Sequence, residues 1–160
     1  MASREIWGPR TWRFFHLLAS ISDRKDACAL WLPLFRTTAQ VLPCELCRQH
    51  MSQYLVQHRF VVNPAIITGD EVKESMVGYL WAFHNSVNER LGKPIVSQED
   101  MIALYESETT RSGRAVEAAT VLADVIALYA PYMRRQSTTF SLWQRQARFL
   151  LSLLSSGPLA

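Results

Sequence analysis

The chain has few cysteines, little net charge and no long apolar run, and each shortage excludes a class of protein. Three cysteines in 160 residues are too few for the disulfide framework of a small secreted scaffold. Seventeen basic against fourteen acidic side chains leave a net charge of +3, and no five like charges adjoin, so no nucleic-acid surface is expected. The longest apolar stretches, residues 30–35 and 149–154, fall well short of the roughly 20 residues that cross a bilayer. No transmembrane segment is therefore expected. The opening Met1-Ala2-Ser3-Arg4-Glu5-Ile6 lacks the apolar centre of a signal peptide. No repeat, low-complexity tract or alternating strand pattern is present. What is there is 49% apolar residues, enough to bury a core, in a chain the length of one domain or of one domain with an appendage.

Helical spacing runs through nearly the whole chain, and the fold class expected is all-α. Gly8-Pro9 opens a first helix, with proline where no amide donor is needed. Trp12, Phe15, His16 and Ala19 then recur to about Ser22. A second helix runs from about Asp26 to Val41, with Pro33 as a kink or a late start. A third begins at Pro43-Cys44 and ends near Gln57. Residues 60–67 are apolar and β-branched, but Pro64 argues for a packed loop. Thr68-x-x-Glu71 is a capping box for a long fourth helix to about Leu91. Gly92 stops it and Pro94 follows. Ser97-x-x-Asp100 caps a short fifth helix through Glu108. Residues 109–113 read as a polar joint, followed by helices over 115–130 and 140–155. The apolar faces of these two, with Val125 and Tyr129 on one and Trp143 and Leu150 on the other, are suited to packing on the core, to a dimer interface or to a partner.

The chemistry concentrates in Pro43-Cys44-Glu45-Leu46-Cys47. A Cys-x-x-Cys pair at a helix start brings two sulfurs together, and the positive end of the helix favours thiolate on the first. The same spacing also opens zinc sites, and His50 supplies a possible third ligand. A structural zinc needs a fourth, however, and Cys28, His16, His58 and His84 are scattered singly along the chain. The strand–helix alternation of a thioredoxin-like protein is missing too. On the fourth helix Trp81, His84, Asn88 and Leu91 share a face, with Asn85 beside it. Such a stripe is either a satisfied buried histidine with polar neighbours or one wall of a pocket for a flat, hydrogen-bonding aromatic ligand. The first helix offers a matching set in Trp7, Arg10, Trp12 and His16. Arg10 and Lys93 are suited to a phosphate.

Three segments carry a resemblance: 7–16 (WGPRTWRFFH), 42–47 (LPCELC) and 83–94 (FHNSVNERLGKP). In order and spacing they resemble the Erv/ALR sulfhydryl oxidases, most closely the branch encoded by large cytoplasmic DNA viruses. The resemblance implies a four-helix bundle with a short fifth helix, covering an FAD-binding domain at residues 1–110. Residues 111–160 then form a C-terminal helical extension for dimer or partner packing. It implies an FAD-linked thiol oxidase that converts protein thiols to disulfides and passes electrons to FAD and on to O2, giving hydrogen peroxide. Cys44 would meet substrate and Cys47 would face the flavin, and no metal is implied. Cofactor contacts would come from Trp7, Gly8, Arg10, Thr11, Trp12 and His16 on the first helix. His84, Asn85, Val87, Asn88, Leu91, Lys93 and Tyr105 would supply the rest. A homodimer is implied, acting in the host cytoplasm at virus assembly sites and in the virion.

Two departures from the family pattern stand out. The second, shuttle cysteine pair of many members is missing, so Cys44 is expected to take electrons directly from a partner. Pro9 separates Gly8 from Arg10, which loosens the assignment of Arg10 to a phosphate. Cys28 reads as a small buried hydrophobe or as half of an intermolecular bridge. The competing reading is a non-enzymatic all-α interaction module with a structural or zinc-binding cysteine pair.

Overall fold

Capping chemistry decides where most of the helices begin. The computed structural model describes residues 3–60, 65, 67–106 and 109–158. Among these, regular structure is seven α-helices and three short 3₁₀ turns, with no strand. Helix α1 (Arg4–Ser20) starts before Gly8-Pro9, not at it. The Ser3 carbonyl accepts from the amides of Ile6 and Trp7 and closes the first turn there. Pro9 is thus the sixth residue of α1 and lies inside the helix, where it forfeits the hydrogen bond its amide would give the Glu5 carbonyl. Helix α2 (Cys28–Val41) follows a 3₁₀ turn, Lys25–Ala27, and contains Pro33. Helix α3 (Glu45–Gln57) is capped by Cys44, whose backbone is extended and whose Sγ accepts from the Cys47 amide at 3.2 Å.

Helix α4 (Gly69–Arg90) carries the full capping box. The Thr68 amide donates to Glu71 Oε2 at 2.6 Å, and the Glu71 amide donates to Thr68 Oγ1 at 3.2 Å. Gly69 lies so close to the Asp23 backbone that a Cβ would not fit. At the other end Gly92 takes φ 68°, a value that favours glycine. Helix α5 (Gln98–Glu106) is capped by Ser97, and helix α6 (Arg111–Tyr129) by Thr110, whose Oγ1 accepts from the Gly113 amide. Residues 111–113 are thus the first turn of α6 and not a joint. Helix α7 (Ser137–Ser155) starts one turn before Phe140. Most of the loop expected over 60–67 lies outside the described residues. Phe60 itself stands edge-on to Tyr79.

Helix α1 packs on α4, α5 and α6, while α2 packs on α3 and α7, and α6 and α7 touch each other. All of them feed one contiguous apolar core in which Phe14, Leu17, Trp31, Phe35, Tyr129 and Trp143 are fully buried. Helix α6 is stapled to this core by cations as well. Buried Arg114 donates to Ser20 Oγ at 3.0 Å and to the Glu106 and Thr109 carbonyls. Arg111 makes two hydrogen bonds to the Asp23 carboxylate and one to the Ile21 carbonyl, and it holds that carboxyl below its ordinary pKa against the opposing effect of burial. The stretch Arg111–Tyr132 is, by length and composition, apolar enough to cross a membrane, with mean hydropathy 1.3. This corrects the expectation that no stretch approaches that length. Its buried face, including Ala118, Leu122, Val125 and Tyr129, joins the core.

Candidate functional site

Cys44 and Cys47 form a disulfide with Cα atoms 5.1 Å apart. The cap position of Cys44 leaves it half-buried beside exposed Glu45 and Leu46, while Cys47, one turn into α3, is buried. Cys47 also lines a cavity of about 270 Å³, and Cys44 does not. The bridge therefore runs from the surface to an internal chamber. The volume lies just below the usual range of pockets for drug-sized ligands, about 300–1,000 Å³.

Helix α1 supplies Trp7, Gly8, Thr11, Trp12 and Phe15 to the cavity wall. From α4 come Phe83, His84, Val87 and Asn88, with Leu91 and Lys93 just beyond its end and Tyr105 from α5. The lining is mostly aromatic and aliphatic, with a few polar groups, as a flat aromatic ligand requires. Trp12 stacks on His84 with ring centroids 4.0 Å apart and planes 4° from parallel. Tyr105 stacks on His16 at 4.4 Å. His16 Nε2 and His84 Nδ1 share a hydrogen bond of 2.9 Å. Burial pushes both imidazoles toward the neutral form. His16 falls to about 3, with His84 adding to the effect, and His84 falls to about 4, with Lys93 adding. One neutral ring donates and the other accepts, so the pair fixes whether the remaining nitrogen of His84 offers a proton or a lone pair.

The rim of the cavity is cationic. Arg4, Arg90 and Lys93 line it with Glu5. Partial burial, and then the charge of Arg4, lower the pKa of Arg90. Arg90 Nη2 lies 4.0 Å from Cys47 Sγ, where a positive charge favours thiolate. The sequence reading did not single out Arg90. It lies within the resembling 83–94 segment, but only the fold brings it to the sulfur.

Four of the expected site residues sit apart from the lining. Arg10 is directed at Asp124 on α6, at 3.8 Å. His16 stands behind the wall and touches the chamber through His84 and Tyr105. Asn85 holds both sides of the Val96 peptide, donating to its carbonyl at 2.7 Å and accepting from its amide at 3.0 Å. Trp81 Nε1 donates to the same carbonyl. These bonds fix the segment that carries Lys93. Cys44, the fourth, is on the outer side of the bridge. His50, considered above as a zinc ligand, shares a hydrogen bond with Ser86 Oγ. Among the described residues no three His, Cys, Asp or Glu side chains gather as a metal site.

The chain matches the Erv1 / Alr family over residues 9–107. That span is most of the chain and contains α4, the cysteine bridge and nearly all of the cavity wall. This chain belongs to the Erv1/Alr family. An FAD-linked sulfhydryl oxidase of African swine fever virus (isolate Pig/Kenya/KEN-50/1950) is 32% identical over 112 residues, 66% of this chain and 85% of the viral protein. Another, from isolate Tick/Malawi/Lil 20-1/1983, is 34% identical over 106 residues, 62% of this chain and 80% of that protein. A relative from Invertebrate iridescent virus 6 is 33% identical over 98 residues, 58% of this chain and 86% of its own. No solved structure matches the chain. Residues 111–160 lie beyond the Erv1/Alr match, yet they brace the site from behind. Tyr129 OH hydrogen-bonds Thr11 Oγ1 at 2.6 Å, and Trp143 Nε1 donates to Thr38 Oγ1 at 2.9 Å. Thr11 and Thr38 both line the cavity. Tyr129 stacks on Trp143 and meets Trp7 edge-on.

Proposed function

We propose that this chain is an FAD-dependent sulfhydryl oxidase that converts pairs of protein thiols to disulfides. The observation that carries the reading is the Cys44–Cys47 bridge, with Cys44 outside and Cys47 in the wall of an aromatic-lined chamber. The lining suits the flavin. Trp7, Trp12, Phe83 and Tyr105 offer ring surfaces, His84 and Asn88 offer hydrogen-bonding edges, and Arg4, Arg90 and Lys93 offer charge for a pyrophosphate. FAD, when bound, supplies the acceptor for two electrons from the reduced pair and delivers them to O2 as hydrogen peroxide.

The chain's own residues do the rest. A substrate thiolate attacks Cys44 Sγ, forming a mixed disulfide and releasing Cys47 as thiolate. The guanidinium of Arg90 stabilises that leaving sulfur. A second substrate thiolate attacks the substrate sulfur of the mixed disulfide, releasing Cys44 and the oxidised substrate. The dithiol then loses two electrons and two protons as the bridge re-forms. Cys44 is suited to the first attack because it is the accessible sulfur of the pair, and the amides at the start of α3 favour charge on it when it leaves in the second exchange. Oxygen consumption with a reduced dithiol, together with flavin absorbance of the purified protein, tests this reading. A colourless protein that consumes no oxygen rejects it.

Two finer points belong to the same proposal. Two copies associate as a homodimer, supported by the exposed apolar side chains Val116, Leu142 and Phe149 on the outer sides of α6 and α7. Light scattering that returns a monomer rejects this. The protein acts in the host cytoplasm, at virus assembly sites and in virions, a reading supported by the viral origin of its relatives. Imaging in infected cells tests it, and confinement to another compartment rejects it.

A further inference from the structure

One wall residue of the chamber is not held by the packing of its own helix. Tyr105 lines the cavity from the last turn of α5, yet Met101 is the only buried residue of that helix. The chain beside it is anchored. Arg114 Nη1 donates to the Glu106 carbonyl at 3.3 Å, and Lys73 Nζ lies 3.5 Å from the Glu106 carboxylate. These contacts fix the backbone of the turn and leave the direction of the Tyr105 ring to other partners.

Two side chains of α1, three residues apart and so on one face of that helix, touch the ring. His16 stacks on it, with planes 10° from parallel. Arg13 places its guanidinium carbon over it, 5.7 Å from the ring centroid, within the reach of a cation–π contact. The guanidinium is felt at the ring, because it opposes the burial that raises the pKa of the phenol. The direction of Arg13 is set in turn from α6. Glu117 Oε1 accepts from Arg13 Nε at 2.7 Å and pairs with Nη2. Both side chains are half-buried. An arginine has much rotamer freedom to lose, and the carboxylate holds this one over the ring.

We infer that Arg13, oriented by Glu117, is a positioning residue for Tyr105, and that through this relay α6 sets how firmly the chain holds its flavin. The inference rests on the FAD reading of the chamber. Neither Arg13 nor Glu117 lines the cavity, and Glu117 lies beyond the family match at residues 9–107. Without the guanidinium the ring loses one of its two contacts from α1. It then swings more freely from the wall, and the bound cofactor loses a fixed aromatic surface. An ion pair this exposed adds little to stability by itself, so its effect is expected at the ring and not in the core.

The test measures flavin release from the full-length, FAD-loaded protein, by the rise in flavin fluorescence after dilution. Glu117→Gln keeps the shape of the side chain and is built to fold. It and Arg13→Gln should each speed release about fivefold, the upper scale of a partly exposed cation–ring contact. Exchanging the charges, Arg13→Glu with Glu117→Arg, restores an ion pair but puts an anion at position 13, so release should stay as fast as in Arg13→Gln. In a Tyr105→Leu background loaded with excess FAD, Arg13→Gln should change release no further, because the ring it acts through is gone. Unchanged release in both single variants overturns the inference. So does wild-type release in the charge exchange, which would reduce the pair to a tie between α1 and α6. A full fivefold effect in the absence of the Tyr105 ring overturns it as well. Wild-type protein that takes up no flavin rejects the FAD reading instead.

Discussion

Replacing Trp143 by alanine tests whether the last two helices are part of the cofactor site. Trp143 is fully buried. It donates to Thr38 Oγ1 and stacks on Tyr129 at 5.5 Å, and Tyr129 in turn bonds Thr11. Removing the indole leaves a cavity and deprives Thr38 of its donor. Deletions of this size cost about 3–5 kcal/mol. In a chain of this length each kcal/mol lowers Tm by about 2–4 °C, so a fall of about 10 °C is expected. Cofactor binding should weaken as well, because Thr11 and Thr38 stand in the cavity wall. FAD at a hundredfold excess over Kd adds about 2.7 kcal/mol to stability. That increment should shrink in the variant, although residue 143 touches no cavity space. The assay is thermal melting with and without added FAD, alongside the flavin-to-protein absorbance ratio. A Tm within about 3 °C of wild type, or an unchanged FAD-induced shift, refutes the bracing role. Deleting residues 111–160 should by the same logic yield a protein that does not retain FAD.

Three further outcomes are expected. Arg90→Gln should slow alkylation of the reduced Cys47 near neutral pH, because the positive charge 4.0 Å from its sulfur is lost, an effect kept modest because Arg90 is exposed and its field is screened. Alkylation rate against pH in a Cys44→Ser background measures it, and an unmoved profile contradicts the placement of that charge. Stability should fall as pH drops through the range from about 6.5 toward 3. His16 and His84 are held neutral in the fold, at about 3 and about 4, and bind protons more readily when unfolded. Denaturant midpoints from pH 7.5 to 4 follow the loss, which His84→Gln should reduce, and a flat profile in wild type argues against buried neutral imidazoles. Trp12→Ala and His84→Ala should each lower flavin content and Tm together, and full occupancy in both would make them ordinary core residues.

Much of this architecture was legible because it is written in local chemistry. Thr68 and Glu71 announced α4, Gly92 its end, and the Cys-x-x-Cys spacing the bridge. Errors arose where a local signal had two uses. Gly8-Pro9 resembles a helix start, but the Ser3 carbonyl had already closed the first turn. Thr109–Gly113 resembles a linker, yet Thr110 is a cap. Asn85 shares the stripe of cavity residues, and only the folded chain shows it spent on the Val96 peptide. The pairings of Thr11 with Tyr129, Thr38 with Trp143 and Cys47 with Arg90 span long stretches of sequence and leave no periodic trace. An apolar helix face states that it is covered without stating by what, which is why packing on α1 and α2 could not be read from the tail alone.

The central claim is that Cys47 is the sulfur through which electrons leave the pair. The direct measurement is anaerobic mixing of FAD-loaded protein with dithiothreitol, following flavin absorbance in wild type and in Cys47→Ser. Rapid bleaching is expected in wild type, with one dithiol consumed per flavin reduced, and a spectrum that stays oxidised in the variant. Bleaching at the same rate in both proteins would contradict it.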